Sequence, residues 1–382
     1  MTGFARRPVR IAVVASVIAR YDAISMAARD TVRAFCDAGG FDVSAFTARS
    51  DFPDLGAHLV ADARALRAHR AFRSADIAVY HFGVFSPLFE VLSRDNGRTR
   101  QIVAFHNVTP PEYVAPAQRA VVEHSLRQLE TFRSVDRYWA VSPTNADALV
   151  AHGVDRAAIE VIPLAVDRPP AAALDGKPAP PVRLLFVGRL VPSKGVLDLI
   201  EAIDIARTRT AIPFQLDIAG NEEFSDASYA ADVKAAVDTR GLSTRVRFMG
   251  AVEDARLDEL YRIAHLLVIP SYHEGFCRPV IEGLRAGCVP AGYAAYNLPH
   301  AAHGLGRLVP TGNRGALAAA LVELIAALAP ASGRAEARLL PLDAGPLSPA
   351  AFDAAAQRYV QDFAFERVAD QMLRSARGLL SR

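Results

Sequence analysis

The chain reads as two doubly wound parallel α/β domains in series, and three features lead there. Short apolar, β-branched runs alternate with helical periodicities over most of its length, the pattern of parallel strands joined by crossover helices. A proline-rich stretch without periodicity, 166–181, interrupts that alternation near the middle and reads as a linker. The 382 residues exceed one ordinary core but suit two domains of roughly 150 to 200 residues.

In order, 9–17 reads as a buried strand, and Asp22 opens a helix with Ile24, Ala27, Ala28, Val32 and Phe35 on one face, ending near Gly39 and Gly40. Strands are expected at 42–46, 77–82, 101–105, 138–142 and 159–163, with helical stretches around 55–73, 86–94, 116–133 and 143–152. After the linker come strands at 183–187, 214–219, 245–249 and 265–269, alternating with helices at 194–209, 228–240, 254–264 and 279–286. Val289 and 307–309 suggest short strands and 313–329 a helix, while the interval 330–349 shows no clear element. The stretch 351–380 reads as one last helix, longer than a small closing helix needs. The expected domains are therefore 1–165 and 182–349, joined by 166–181 and followed by a C-terminal helix within 350–382.

Composition narrows the function. Hydrophobic residues are 51% and charged residues 22%, ordinary for a globular protein, and the net charge is +2 with scattered arginines. No electrostatic footprint for nucleic acid is present. The three cysteines, Cys36, Cys277 and Cys288, have no zinc spacing and fit a reducing cytoplasm as small packing residues. The start passes into a strand without a signal-type core, and no run of about eighteen apolar residues occurs, so no membrane span is expected. A cytoplasmic location follows, with room for peripheral contact at the inner face of the membrane. Oligomeric state is not legible.

Candidate chemistry sits where strands end. The run 271–282 (Ser-Tyr-His-Glu-Gly-Phe-Cys-Arg-Pro-Val-Ile-Glu) follows the buried strand 265–269. Glu274 falls in the loop and Glu282 one or two turns into the next helix, where Pro279 suits a first turn. Loop amides and the helix start offer donors to an anion. A bare pair of glutamates is ordinarily a loop acid and a solvated helix acid, so their neighbours matter. The run 184–195 (Leu-Leu-Phe-Val-Gly-Arg-Leu-Val-Pro-Ser-Lys-Gly) supplies a turn at Gly188, a fork-shaped cation at Arg189 and a point charge at Lys194. A solvated pair at a helix start is the plainer account of these cations, but lysine there opposes the helix dipole. The spacing is not that of a Walker A loop, and His273-Glu274 lacks the second histidine of a zinc protease because Cys277 stands there.

A Glu, seven residues and a second Glu, with Gly-Phe after the first, resembles the signature of glycosyltransferase family 4, retaining enzymes of the GT-B fold. Residues 188–195 resemble that family's diphosphate-binding segment, and Asp217-Ile-Ala-Gly-Asn221 its preceding strand and turn. The likeness implies two Rossmann-like domains facing a central cleft, nucleotide sugar mainly on the second, acceptor on the first, and a chain end that crosses back to the first. Sugar transfer needs charge stabilised on the departing phosphate and on an oxocarbenium-like carbon. No Asp-x-Asp is present, so fixed cations are expected to do this without a metal or other cofactor.

Carried onto this sequence, the resemblance implies Glu274 at the donor sugar and Glu282 at the ribose hydroxyls. It implies Arg189 and Lys194 at the diphosphate, Met249, Gly250 and Ala251 at the base, and amides of Gly275, Phe276 and Cys277 at sugar hydroxyls. Val280 and Ile281 complete the donor side. His106, ending the strand 101–105, matches a family histidine near the donor sugar, although a histidine so placed is more often merely packed. Its neighbourhood, His106-Asn107-Val-Thr-Pro-Pro-Glu, resembles members from bacterial polysaccharide clusters and points to mannosyl transfer. Tyr21, Asp22 and Asn107 fall on the acceptor side, with Asp22 equally readable as a helix N-cap. Three departures stand out: no Gly-Gly in the first loop, Cys277 where relatives often have glycine, and Leu298-Pro-His300 where Pro-Glu is common. The implied activity is retaining hexosyl transfer, mannose from GDP-mannose, to a hydroxyl of a saccharide, glycolipid or other small acceptor. The alternatives are a GT-B epimerase or hydrolase, or a non-catalytic nucleotide-sugar-binding subunit.

Overall fold

The computed structural model describes residues 7–20, 22–93, 98–132, 135–221, 225–329 and 339–380. They form two compact units. One comprises residues up to Pro111, Ala117–Ala165 and the chain end from Phe363; the other comprises Glu112–Pro116 and Val166–Asp362.

In the first unit the elements run β1 (Val9–Ala15), α1 (Ala23–Asp37), β2 (Phe41–Thr47), β3 (His58–Leu59), α2 (Ala63–Ala68), α3 (Arg70–Arg73), β4 (Ile77–Phe82), β5 (Arg100–Phe105), α4 (Arg119–Glu130), β6 (Arg137–Ala140), α5 (Pro143–Ala151) and β7 (Ile159–Val161). The strands form one parallel sheet in the order β3-β2-β1-β4-β5-β6-β7. Alternation along β1 sends Ile11, Val13 and Ala15 to one apolar layer and Ala12 and Val14 to the other, so both faces are covered. Asp22 caps α1 by accepting from the Ser25 amide at 2.8 Å, and Ser142 caps α5 ahead of Pro143.

The second unit continues with β8 (Val182–Val187), α6 (Val196–Arg209), β9 (Phe214–Ala219), α7 (Ala227–Thr239), β10 (Val246–Gly250), α8 (Asp254–Ile263), β11 (Leu266–Ile269), α9 (Arg278–Arg285), β12 (Val289–Tyr293), α10 (Leu298–Ala302), β13 (Arg307–Val309), α11 (Arg314–Leu328), a hairpin of β14 (Leu340–Leu342) and β15 (Gly345–Leu347), and α12 (Pro349–Val360). Its main sheet, β10-β9-β8-β11-β12-β13, is also wholly parallel. The last helix, α13 (Phe365–Leu380), belongs to the first unit. There Val368, Met372 and Ala376 join the layer of Phe35 and Trp139, whose indole donates to Ser375 Oγ at 2.8 Å.

The structure departs from the sequence reading in four places. The expected helix 55–73 is instead a turn, β3 and two short helices: Gly56 adopts the left-handed conformation, His58 and Leu59 pair with Phe46 and Thr47, and Asp62 starts α2 afresh. The stretch expected as a helix over 86–94 is 3₁₀ at Pro87–Ser93, and residue 94 lies outside the described residues. Within 330–349, residues 330–338 lie outside the described residues, and the β14–β15 hairpin follows, its alternation disguised by Pro341 and Pro346. The single helix expected over 351–380 divides at Gln361–Phe363, since Phe352, Ala356 and Val360 are buried in one unit and Phe365, Val368 and Met372 in the other. The linker is packed on the second unit: Ala172 donates to Arg285 O at 3.0 Å, Leu174 to Asp353 Oδ1 at 2.8 Å and Lys177 Nζ to Tyr261 O at 3.3 Å. Among the described residues no helix is long and apolar enough to cross a membrane.

Candidate active site

In an open parallel sheet, ligands sit beyond the carboxyl ends of strands where the order reverses. In the second unit that point lies between β8 and β11. The loops leaving these two strands carry Lys194 and Glu274, and they meet: Nζ of Lys194 is 2.6 Å from Oε1 of Glu274. Side-chain exposures of 20% and 11% make this a largely buried ion pair, quite unlike a solvated lysine at a helix start. Ser271 Oγ donates to the same carboxylate oxygen at 2.8 Å. The loops touch through backbone as well. Tyr272 donates its amide to Ser193 O at 2.9 Å, and a β-carbon on Gly195 would lie 2.0 Å from Pro270 O, so glycine is required there.

Glu282, about one turn into α9, is held at both oxygens. Arg278 Nε donates to Oε1 at 2.7 Å and the buried Tyr261 hydroxyl to Oε2 at 2.8 Å. Cys277 stands between the acids in the left-handed conformation, φ 65°, which explains physically why glycine suits this position. Burial, followed by the charge of Glu274, pushes its thiol pKa well up. Asn297 holds the same loop, donating Nδ2 to Phe276 O at 3.1 Å. His273 is buried against Tyr296, and that burial depresses its pKa to about 4.

The remaining donor-side residues fall unequally. Arg189 is exposed at the end of β8. Gly188 donates its amide to Ala219 O, Gly220 donates to Gly250 O, and a β-carbon on Gly220 would lie 2.2 Å from Gly188 O. Three loop starts are thereby stitched side by side. A bulge interrupts the β9–β10 register at Met249; Gly250 has φ 65° and Ala251 is exposed. Val280 does not fit the expectation: its side chain is buried in the core and its amide already donates to Cys277 O. The Ile281 side chain is equally buried, because the apolar stripe of α9 faces the sheet.

The first unit's sheet reverses between β1 and β4. Beyond those ends lie the α1 cap Asp22, the β4 residue His81, and His106 directly after β5. His81 Nδ1 and His106 Nε2 are 2.9 Å apart. Burial lowers the His106 pKa to about 4 against the opposing pull of Asp22, and lowers that of His81 well below the usual range. Asn107 has φ 82°, a conformation asparagine tolerates. Tyr21 lies outside the described residues.

Residues 7–168 match the family model described as Glycosyltransferase Family 4, and residues 173–328 match that of Glycosyl transferases group 1. Both halves of the chain thus carry glycosyltransferase domains. Among curated relatives, the chain is 28% identical over 221 residues to the GDP-mannose:cellobiosyl-diphosphopolyprenol alpha-mannosyltransferase of Xanthomonas campestris, covering 58% of this chain and 56% of that one. It is 27% identical to the D-inositol 3-phosphate glycosyltransferase of Mycolicibacterium smegmatis, covering 54% and 50%. The chain thus spans about half the length of the curated relatives it matches. The GT-B architecture is that of sucrose-phosphate synthase from Thermosynechococcus elongatus, with a TM-score of 0.75 at 20% identity over 98% of this chain and 99% of that one. Anabaena HepE in complex with UDP and glucose superposes with a TM-score of 0.74 at 16% identity, covering 97% and 100%.

Several residues of this candidate site escaped the sequence reading. Asp198, on α6, is buried and accepts from Tyr272 OH at 2.5 Å, Tyr293 OH at 2.8 Å and Arg314 Nε at 2.9 Å. Burial and the Asp198 carboxylate push the Tyr272 pKa up to about 12. This node ties the helix after Lys194 to the residue two before Glu274. An aspartate flanked by Leu197 and Leu199 in a helix's first turn was the available signal; its partners are distant in sequence. Ser271, Tyr261 and His81 carried no signal of their own.

Proposed function

We propose that the protein transfers a hexosyl group, mannose from GDP-mannose on our reading, from a nucleotide diphosphate to a hydroxyl of a saccharide or glycolipid acceptor, with retention of configuration. The observation that carries this reading is the Lys194–Glu274 pair at the β8/β11 switch point. Lys194 is placed to take up charge on the departing phosphate, with Arg189 as the exposed second cation. Glu274, freed in part as Lys194 turns to phosphate, stabilises positive charge at the anomeric carbon. A carboxylate has roughly four acceptor sites, so Glu282 keeps capacity for ribose hydroxyls beside its bonds to Tyr261 and Arg278. The acceptor hydroxyl attacks from the leaving-group side and gives its proton to the departing phosphate, so these side chains do the work asked of a metal elsewhere. The first unit serves the saccharide side through His106. The mannosyl choice rests on the activity of the Xanthomonas relative and on an O-antigen chain mannosyltransferase B of Escherichia coli, 30% identical over 104 residues, 27% of this chain and 26% of that one. A glycolipid acceptor would bring the protein to the inner face of the membrane.

The test is turnover and binding in two variants. Glu274→Gln keeps shape and is expected to lower transfer by about a hundred to a thousandfold, the worth of one lost charge-stabilising contact, while nucleoside diphosphate still binds. Glu282→Gln is expected to weaken calorimetric binding of GDP with a smaller loss of maximal rate. Full turnover by the first variant would overturn the assignment, and a thermal shift with UDP but none with GDP would overturn the choice of donor.

A further inference from the structure

His106 entered as a single histidine at a strand end, but the structure gives it a buried partner. His81 is 2% exposed, its ring lies 30° from that of His106 with centroids 5.2 Å apart, and the Nδ1 to Nε2 distance is 2.9 Å. His106 is held in place by its amide, which donates to Phe82 O at 2.8 Å. Gly83 closes the space, since a β-carbon there would lie 3.3 Å from both His106 Cβ and Asn107 O.

Only one proton can occupy the line between the two rings. If His106 supplied it from Nε2, His81 would carry its own proton on Nε2. That nitrogen is buried and has no hydrogen-bond partner among the described residues. A buried N–H without an acceptor leaves its desolvation uncompensated, and orphaned donors are the rarer kind of unsatisfied group. If His81 supplies it from Nδ1, the orphan is a bare ring lone pair. We infer that His81 is a positioning residue that donates Nδ1–H to His106 Nε2, fixing His106 as the tautomer that offers Nδ1–H to an oxygen of a saccharide hydroxyl. His106 is then a donor to substrate and no general base, because its one basic nitrogen is occupied. The depressed pKa of both rings agrees with a neutral pair at neutral pH.

The contact with a saccharide rests on the function proposed above; the tautomer does not. Nitrogen NMR of the histidine-labelled protein near pH 7 should find the His106 proton on Nδ1, and a proton on Nε2 would overturn the inference whatever the enzyme transfers. Among variants, His81→Asn keeps an N–H at the Nδ1 position and His81→Phe keeps the ring without a donor. The asparagine variant should retain the tautomer and turnover near that of the unaltered protein. The phenylalanine variant should mix tautomers and lose about tenfold in kcat, the worth of one neutral hydrogen bond. Equal rates and equal His106 spectra in the two variants would also overturn it. Should His81→Phe fail to fold, the spectrum of the unaltered protein still decides. Unchanged transfer by His106→Ala would instead remove the saccharide contact and leave the tautomer assignment to the NMR.

Discussion

At the switch point of the second unit's sheet the loops set Lys194 against Glu274 and helix α9 pairs Arg278 with Glu282; beside that of the first, β4 and the end of β5 set His81 against His106. The strand orders are alike around these points, with β1 and β4 corresponding to β8 and β11. Opposite charges are stored in one site and a neutral, buried pair in the other. Formal charges held at fixed positions suit a ligand whose own charge moves, as a diphosphate's does on departure. A neutral ring with one nitrogen occupied suits recognition of hydroxyls, where a proton is shared and no charge is carried.

The largest expected effect breaks the charged pair. Lys194→Met leaves the Glu274 carboxylate without its buried counter-ion and should cost about 3–5 kcal/mol of stability. The double variant with Glu274→Gln should recover most of that loss in a denaturant-unfolding cycle. Additive losses in the double variant would mean that the two side chains do not act as a pair.

A middle-sized effect concerns acid. His81 and His106 in the first unit, and His265 and His273 in the second, have folded pKa values below the ordinary histidine value, mainly through burial, with three of them at about 4. Above about pH 6.5 these rings are neutral folded or unfolded and add no pH dependence. Below it the unfolded chain takes up protons that the folded chain refuses, so stability falls as pH drops from 6.5 towards 4. For a single ring with a folded value of about 4 the loss at pH 5 is about 2 kcal/mol. Urea unfolding at pH 7.5 and pH 5 checks this, and His106→Gln should flatten the slope. An unchanged midpoint between these pH values would contradict the buried neutral assignment.

The smallest effect concerns the left-handed residue between the two glutamates. Cys277→Gly should be more stable than Cys277→Ala by about 1 kcal/mol, although glycine fills less space. Thermal melts of the two variants compare them directly, and an alanine variant equal to or better than glycine would show that φ is not the constraint.

Legibility differed by kind of information. Strands such as 77–82, 214–219 and 307–309 could be placed to the residue, because each is a short, largely apolar segment between turn or helix signals. The helix read over 55–73 failed because its apolar spacing serves β3 and two short helices, and the pairing of His58 and Leu59 with a distant strand has no local signature. In the candidate site Lys194 and Glu274 could be named from their motifs, whereas their contact could not, and Val280 was placed on the ligand side although its amide and side chain are both engaged elsewhere. Asp198 lay unremarked in a helix because its meaning depends on Tyr272, Tyr293 and Arg314.

The sequence by itself determined the alternation of strand and helix, the division into two halves and the presence of cations and acids at strand ends, since these follow from periodicity and turn chemistry within a few residues. Only the tertiary structure decided which charges neutralise one another, that His106 has a buried partner, and that one closing helix is two. Those outcomes depend on strand order, which brings loops eighty residues apart within hydrogen-bond reach at the Lys194–Glu274 pair and hides a ring from water at the His81–His106 pair.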